Sequence, residues 1–189
     1  MTRPQRADAQ RNRDKLLTVA VTAFTDLGVD VPLETIAARA GVGVGTLYRH
    51  FANRNALIEA AYRHEVERLC EAAPELLATH DPADALQEWM ERFAQYAATK
   101  RGMGDALRSA VASDSPLFGH TRTRIVAALR VLLEAGAADG SLRGDADPED
   151  VMRAMGAVWN IASGPEWQDQ VRRLLSLLVD GLRYGARKG

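Results

Sequence analysis

The chain has 189 residues, of which 47% are hydrophobic and 26% charged, and its formal net charge is −1. This composition excludes a disordered or low-complexity protein, and the near-neutral total charge identifies no partner. The single cysteine, Cys70, excludes an intrachain disulfide, and no run of about 20 apolar residues could span a membrane, so we expect a cytoplasmic protein.

The first 64 residues differ in charge from the rest of the chain. They carry nine Arg or Lys residues against six Asp or Glu, a net charge of +3, which leaves −4 for the remainder. Residues 1–8 have no apolar signal core, and we expect a flexible basic arm there. The basic end favours an anionic partner. The Arg side chains of the arm either enter a DNA minor groove or only add solubilising charge.

The N-terminal third predicts a series of helices, because apolar residues recur at helical spacing and no segment alternates like a strand. A first helix is expected over residues 9–27. A second, short helix covers LETIAARA after Pro32 and ends at Gly41. The segment 44–51, VGTLYRHF, predicts a third helix. Asn53 is a good N-cap for a fourth, which runs to about residue 72.

The remaining chain, residues 73–189, predicts a larger helical body. Apolar spacing favours helices over 84–97, 105–113, 116–133, 148–162 and 171–182, with a polar, glycine-rich loop over 138–150. The expected fold class is therefore all-α, with about nine helices in two domains. The first, residues 9–55, is joined to the body through the helix over 56–72.

The stretch GVGVGTLYRHF (41–51) allows two interpretations. A dinucleotide fingerprint needs G-x-G-x-x-G after a strand, but here the spacing is G-x-G-x-G after a helical segment, and no P-loop Lys follows. A helix-turn-helix needs a short helix, a tight glycine-containing turn and a second short helix, and all three are present. Its small apolar centre would consist of Ile36, Ala37, Ala40, Val42 and Leu47.

These residues resemble the TetR/AcrR family of bacterial transcriptional regulators. The resemblance covers about the first third of the chain, from Arg11 to Leu69, and rests on Ile36-Ala37, Ala40-Gly41-Val42, Gly45-Thr46-Leu47-Tyr48, His50-Phe51 and Ala56-Leu57. The helical body fits the family's architecture but carries no specific motif.

The resemblance implies that residues 44–50 form a recognition helix in the DNA major groove. Thr46 and Tyr48 would contact the backbone, and Arg54 stands where family members often carry Lys, so we expect it to bind phosphate. Arg49 is the candidate to read bases, because a guanidinium can donate two bonds to guanine. The predicted DNA-binding residues are Val44, Gly45, Thr46, Tyr48, Arg49, His50 and Arg54. We expect Phe51 to pack in the core.

Apolar and aromatic residues spread over the body's helices predict either a packed core or a pocket for an apolar or aromatic inducer. The predicted lining residues are Trp89, Phe93, Leu107, Val111, Phe118, Met152, Met155 and Trp159. Asn160 would orient a ligand or be a satisfied polar group at an interface. The histidines lack Cys or His partners nearby in sequence, so no metal or other cofactor is expected.

The last two predicted helices are apolar over more than one face, and each of these apolar faces must be buried. Two copies would form a four-helix bundle about a two-fold axis. The predicted dimer-interface residues are Ala154, Ala157, Ile161, Leu174, Leu178 and Leu182. A dimer would read a near-palindromic operator, with the protein on the nucleoid when bound.

The function predicted from the sequence is therefore a homodimeric, ligand-responsive transcriptional regulator, expected to be a repressor. The alternative is a DNA-binding regulator whose body serves only dimerisation or a protein partner. An all-α enzyme is disfavoured, because the sequence has no nucleophile motif, acid–base pair or metal set.

Overall fold

The computed structural model describes residues 3–104, 106–107, 117–161 and 164–185, with side chains from Arg11 onward except that of Leu117. All regular secondary structure in these ranges is helical, which confirms the all-α prediction. The α-helices are α1 (Arg3–Leu27), α2 (Leu33–Arg39), α3 (Val44–His50), α4 (Arg54–Leu77), α5 (Pro82–Gly102), α6 (Leu117–Ala138), α7 (Pro148–Met155) and α8 (Trp167–Arg183). No helix in these ranges is both long and apolar enough to cross a bilayer.

The chain forms two compact units. Unit 1 comprises Met1–Glu65 and Ala98–Ser115, and unit 2 comprises Val66–Ala97 and Pro116–Gly189. The division between the two units falls within α4, after Glu65, and the domain bounds given by the sequence stay a prediction. The sequence also gave no signal that residues 98–115 would belong with the N-terminal unit, because their membership depends on packing between distant segments.

Two predicted helices differ from those observed, and a third cannot be compared. Helix α1 begins at Arg3, so the segment predicted as a flexible arm is helical from there; Pro4 is compatible with a first helical turn. The helix predicted over 148–162 is α-helical only to Met155 and continues as a 3₁₀ helix over Gly156–Asn160, where Gly156 weakens the α-helix. Most of the helix predicted over 105–113 lies outside the described residues.

The core of unit 1 is built by one stripe from each of its first four helices. Leu16, Ala20 and Phe24 of α1 are fully buried, as are Ile36 of α2 and Leu47 of α3. Of the small apolar centre that the sequence predicted, Ile36, Ala37, Ala40 and Leu47 are buried and Val42 is only half-buried. Phe51 is also buried, as expected.

The core of unit 2 includes an aromatic cluster. The rings of Trp89 and Phe93 stack with their centroids 6.1 Å apart, and Tyr96 lies 5.7 Å from Phe93 in a tilted arrangement. The indole Nε1 of Trp89 donates a hydrogen bond of 2.8 Å to the carbonyl of Leu69. Because its polar atom is satisfied within the fold, Trp89 can be fully buried at little cost.

Candidate nucleic-acid interface

The turn before α3 is a glycine-dependent helix cap. Gly41 has φ +68°, and its N–H donates to the carbonyl of Ala38 while the N–H of Val42 donates to that of Ala37, each at 3.0 Å. This pair of bonds is the Schellman arrangement, which satisfies the last carbonyls of α2. Gly41 therefore ends α2, as the sequence predicted, and the chain turns directly into α3.

The two following glycines leave one side of α3 open. Gly43 is the N-cap in an extended conformation and makes no side-chain cap bond. A Cβ atom added at Gly43 or Gly45 would meet nothing within 4 Å. The backbone of this helix can therefore be approached closely by another molecule, which is the use of glycine that a DNA backbone contact requires.

Helix α3 points one apolar residue inward and several residues outward. Leu47 is fully buried, whereas Val44 is 39% exposed and Tyr48 48% exposed. Arg49 is exposed, and Thr46 and His50 are half-buried. The predicted recognition residues 44–46 and 48–50 thus lie together on one short helix and are accessible to different degrees. Whether they contact DNA remains a prediction.

Two basic residues of α1, which the sequence analysis did not assign to the site, lie beside the helix-turn-helix. The Nζ atom of Lys15 lies 3.4 Å from the position of a Cβ at Gly41, and the Lys15 side chain is exposed. The guanidinium carbon of Arg13 lies 5.6 Å from the centroid of the buried Phe51 ring, a cation–π contact. Nothing in the sequence of α1 indicates which of its several basic residues face α3.

Arg54 is engaged within the fold. Its Nη1 donates hydrogen bonds of 2.6 Å to the carbonyl of Val29 and 2.7 Å to that of Val31. Both carbonyls belong to the α1–α2 connector. Arg54 therefore has a structural role that the sequence did not reveal, and the phosphate contact expected of it stays a prediction.

The predicted ligand-lining residues do not share one environment. Trp89, Phe93 and Met155 are fully buried in unit 2, and Leu107 is buried in unit 1. Phe118 is 38% exposed, Met152 and Trp159 are half-buried, and Val111 lies outside the described residues. Asn160 is exposed at the end of the 3₁₀ helix. In the described ranges, no group of three His, Cys, Asp or Glu side chains could hold a metal ion.

Unit 2 carries an open groove between α7 and α8. Its volume is about 550 Å³, and it is lined by four of the six predicted dimer-interface residues: Ala154, Leu174, Leu178 and Leu182. Ala154 is exposed and Leu174 and Leu178 are half-buried, whereas Leu182 is buried in the unit itself. Ala157 is exposed and Ile161 half-buried on the 3₁₀ side of this region.

The rim of the groove is charged. Arg143 makes a two-point ion pair with Asp145, with Nε to Oδ1 at 2.6 Å and Nη2 to Oδ2 at 2.8 Å. Hydrogen bonding from Arg143 lowers the pKa of the Asp145 carboxyl to about 2. Asp147 also lines the groove and caps α7 by accepting from the N–H groups of Glu149 and Asp150. The groove therefore combines an apolar floor with ionised edges at neutral pH.

Comparisons with known proteins identify both parts of the chain. The family model of bacterial regulatory proteins of the tetR family matches residues 16–61, and the model of the C-terminal domain of SbtR-like transcriptional regulators matches residues 81–184. The transcriptional repressor KstR2 of Mycolicibacterium smegmatis is 29% identical over 187 residues, and that of Rhodococcus jostii is 30% identical over 190 residues, each match covering 90% of both chains.

Solved structures that resemble this chain belong to the same family of regulators. The TetR transcriptional regulator SCO0520 from Streptomyces coelicolor is 49% identical with a TM-score of 0.84, covering 92% of this chain and 99% of that one. A TetR regulatory protein from Mycobacterium vanbaalenii is 34% identical with a TM-score of 0.77, covering 95% and 99%. The chain therefore belongs to the TetR family of transcriptional regulators and is a DNA-binding regulator, not an enzyme.

Proposed function

We propose that the protein is a homodimeric repressor that binds a near-palindromic operator and releases it when a small apolar or aromatic molecule binds the body. Helix α3 would lie in the major groove, where Arg49 reads base edges and Thr46 and Tyr48 contact the sugar–phosphate backbone. The KstR2 relatives are named transcriptional repressors, which supports repression over activation for this protein.

The observation that carries the DNA-binding assignment is the open side of α3. Val44 and Tyr48 are exposed there beside Arg49, the glycines add no side chain, and the Lys15 ammonium is adjacent to the preceding turn. Small and apolar residues next to cations suit close approach to a polyanion.

The groove between α7 and α8 supports a dimer. Helix α8 buries Trp167, Val171, Leu175 and Val179 within its own unit, while a second apolar row contains Leu174, Leu177 and Leu178. Leu177 is 69% exposed. A second copy of α7 and α8 would bury this row in a four-helix bundle, and the two-fold axis would match a palindromic operator.

A regulator without an inducer is the second candidate. The full burial of Trp89, Phe93 and Met155 favours it, because these residues already fill space among the helices of unit 2. Under this candidate, the body serves dimerisation or a protein partner only.

Selection of a duplex from a random-sequence pool, followed by gel shift, tests the proposal. We expect two protomers per duplex on a near-palindromic sequence, with affinity that falls steeply as salt rises. A screen for compounds that raise the melting temperature then separates the two candidates. A compound that stabilises the protein and releases the duplex supports the inducer, whereas an absence of such compounds favours the second candidate.

A further inference from the structure

Arg54 connects two segments that flank the helix-turn-helix. It is the first residue of α4, shortly after α3, and its side chain reaches the connector that leads into α2. One nitrogen, Nη1, donates to both Val29 and Val31, so both of its hydrogens are used. Bonds from a charged donor to carbonyls are about twice as strong as neutral ones.

Hydrogen bonding within the connector itself is weak. It begins at Gly28, whose φ is +80°, and its internal bond from the Val31 N–H to the Gly28 carbonyl is long at 3.4 Å. Val31 is buried, so its carbonyl cannot simply turn to water without moving the side chain. Arg54 supplies the carbonyls of Val29 and Val31 with a donor from outside the connector.

The start of α4 does not depend on Arg54. The side chain of Asn53 accepts a bond of 2.9 Å from the N–H of Ala56, which caps the helix. Loss of the Arg54 side chain should therefore release the connector and leave α4 formed.

We propose that Arg54 is a positioning residue for the recognition helix. It joins the segment before α2 to the segment after α3, and thereby fixes the α2–α3 pair from both ends. Its effect on DNA binding comes through the orientation of α3, because Nη1, which holds the two carbonyls, has no hydrogen left for a phosphate. Arg54 thus differs from the role that the family resemblance implies.

The variants Arg54→Met and Arg54→Lys test this inference. Met removes the charge, whereas Lys keeps the charge but is one bond too short to bring a nitrogen to the position of Nη1. Hydrogen exchange of the free protein measures the connector and the start of α2, at the amides of residues 29–31 and 33–35. Binding to the selected duplex and to a scrambled duplex, each over a salt series, measures specificity and the number of phosphate contacts.

In both variants we expect faster exchange in the connector and about tenfold weaker binding to the selected duplex. Binding to the scrambled duplex should change less than about threefold, and the salt slope should stay at the wild-type value. A role confined to global stability would not alter the ratio between the two duplexes once the folded fraction is corrected for.

Arg63→Met is the matched control. Arg63 lies on the same helix and is exposed, and its Nη2 pairs with Glu59 at 2.7 Å, so its loss removes an equal charge without reaching the connector. This control should change neither the exchange of the connector nor the preference for the selected duplex.

The proposal is wrong if Arg54→Met lowers the salt slope by about one with normal connector exchange. It is also wrong if Arg54→Lys matches the wild type in both measurements. Failure of the wild type to select any duplex would instead contradict the regulator function, since the exchange measurement uses no DNA.

Discussion

Helices α3 and α8 both expose apolar side chains, but their surroundings differ. On α3, Val44 and Tyr48 are exposed on the same short helix as Arg49, and Lys15 lies beside the turn that precedes this helix. On α8, Leu177 stands with Leu174 and Leu178 along a groove whose floor is apolar and whose charges are confined to the rim. Exposure of an apolar side chain therefore does not indicate a partner by itself. Cations and glycines around it favour a nucleic acid, whereas a continuous apolar row favours another protein surface.

The glycines of the two units show a parallel difference. Gly45 in α3 has open space where a Cβ would be, whereas a Cβ at Gly136 in α6 would overlap Cδ1 of Leu142. In the first case the absence of a side chain leaves room for a partner. In the second the space is already filled by the protein itself.

The largest expected effect is on the apolar row of α8. Leu177→Glu places a charge in the surface that the dimer would bury, so we expect dimer affinity to fall by about 2–3 kcal/mol, near a hundredfold, with helix content unchanged. Sedimentation over a concentration series measures it. Val131→Glu is the matched control, because Val131 is also exposed in unit 2, on α6, and does not line the groove. Equal behaviour of the two variants would contradict the assignment of α8 to the interface.

The glycine comparison predicts opposite effects of one added methyl group. Gly136→Ala must displace Leu142, whose Cβ atom is also within 2.9 Å, and we expect it to destabilise the protein by about 1–3 kcal/mol. Gly45→Ala meets no atom and should stabilise α3 by up to about 1 kcal/mol. Denaturant unfolding measures both.

Gly45→Ala should nevertheless weaken binding to the selected duplex, because its methyl group would occupy the side of α3 that approaches DNA. Unimpaired binding by this variant would mean that the backbone of α3 does not come close to the duplex.

Substitutions of single cations in unit 1 are expected to change DNA binding and not the stability of the fold. Arg49→Ala should lower the preference for the selected duplex by about 1–3 kcal/mol, because a base contact is lost. Lys15→Gln, its matched control, should weaken all duplexes alike and reduce the salt slope by about one. The measurement is gel shift on selected and single-base-changed duplexes. If both variants weaken all duplexes equally, Arg49 is not a base reader.

The smallest expected effect concerns Cys70 in unit 2. Burial raises the pKa of its thiol above the usual value of 9.0; Arg124 opposes this shift, and Glu71 and Glu67 add to it. At pH 8 the folded protein therefore holds less thiolate than the unfolded chain, and iodoacetamide should modify it more slowly. Mass spectrometry with and without urea measures the two rates. Equal rates would indicate that Cys70 is not protected by the fold.

Local signals explain which parts of the site were predictable. Gly41 forms the turn because only a residue without a side chain adopts its positive φ freely. Leu47 is buried because it lies opposite the polar residues of a seven-residue helix. The contacts of Lys15 and Arg54 were not predictable, since each side chain reaches a segment more than 20 residues away in the chain. The same holds for the membership of residues 98–115 in unit 1.

The sequence by itself determined the helical class, the helix-turn-helix and its family, because helix periodicity, caps and glycine turns are encoded within a few neighbouring residues. In α8, only the tertiary structure decided which apolar side chains are core and which are surface. The leucines of α8 are chemically alike, yet Leu175 is buried and Leu177 exposed, because packing against other helices covers one side of α8 alone. The contact of Arg54 with the connector likewise depends on the fold, which brings two backbone carbonyls within hydrogen-bonding distance of its guanidinium.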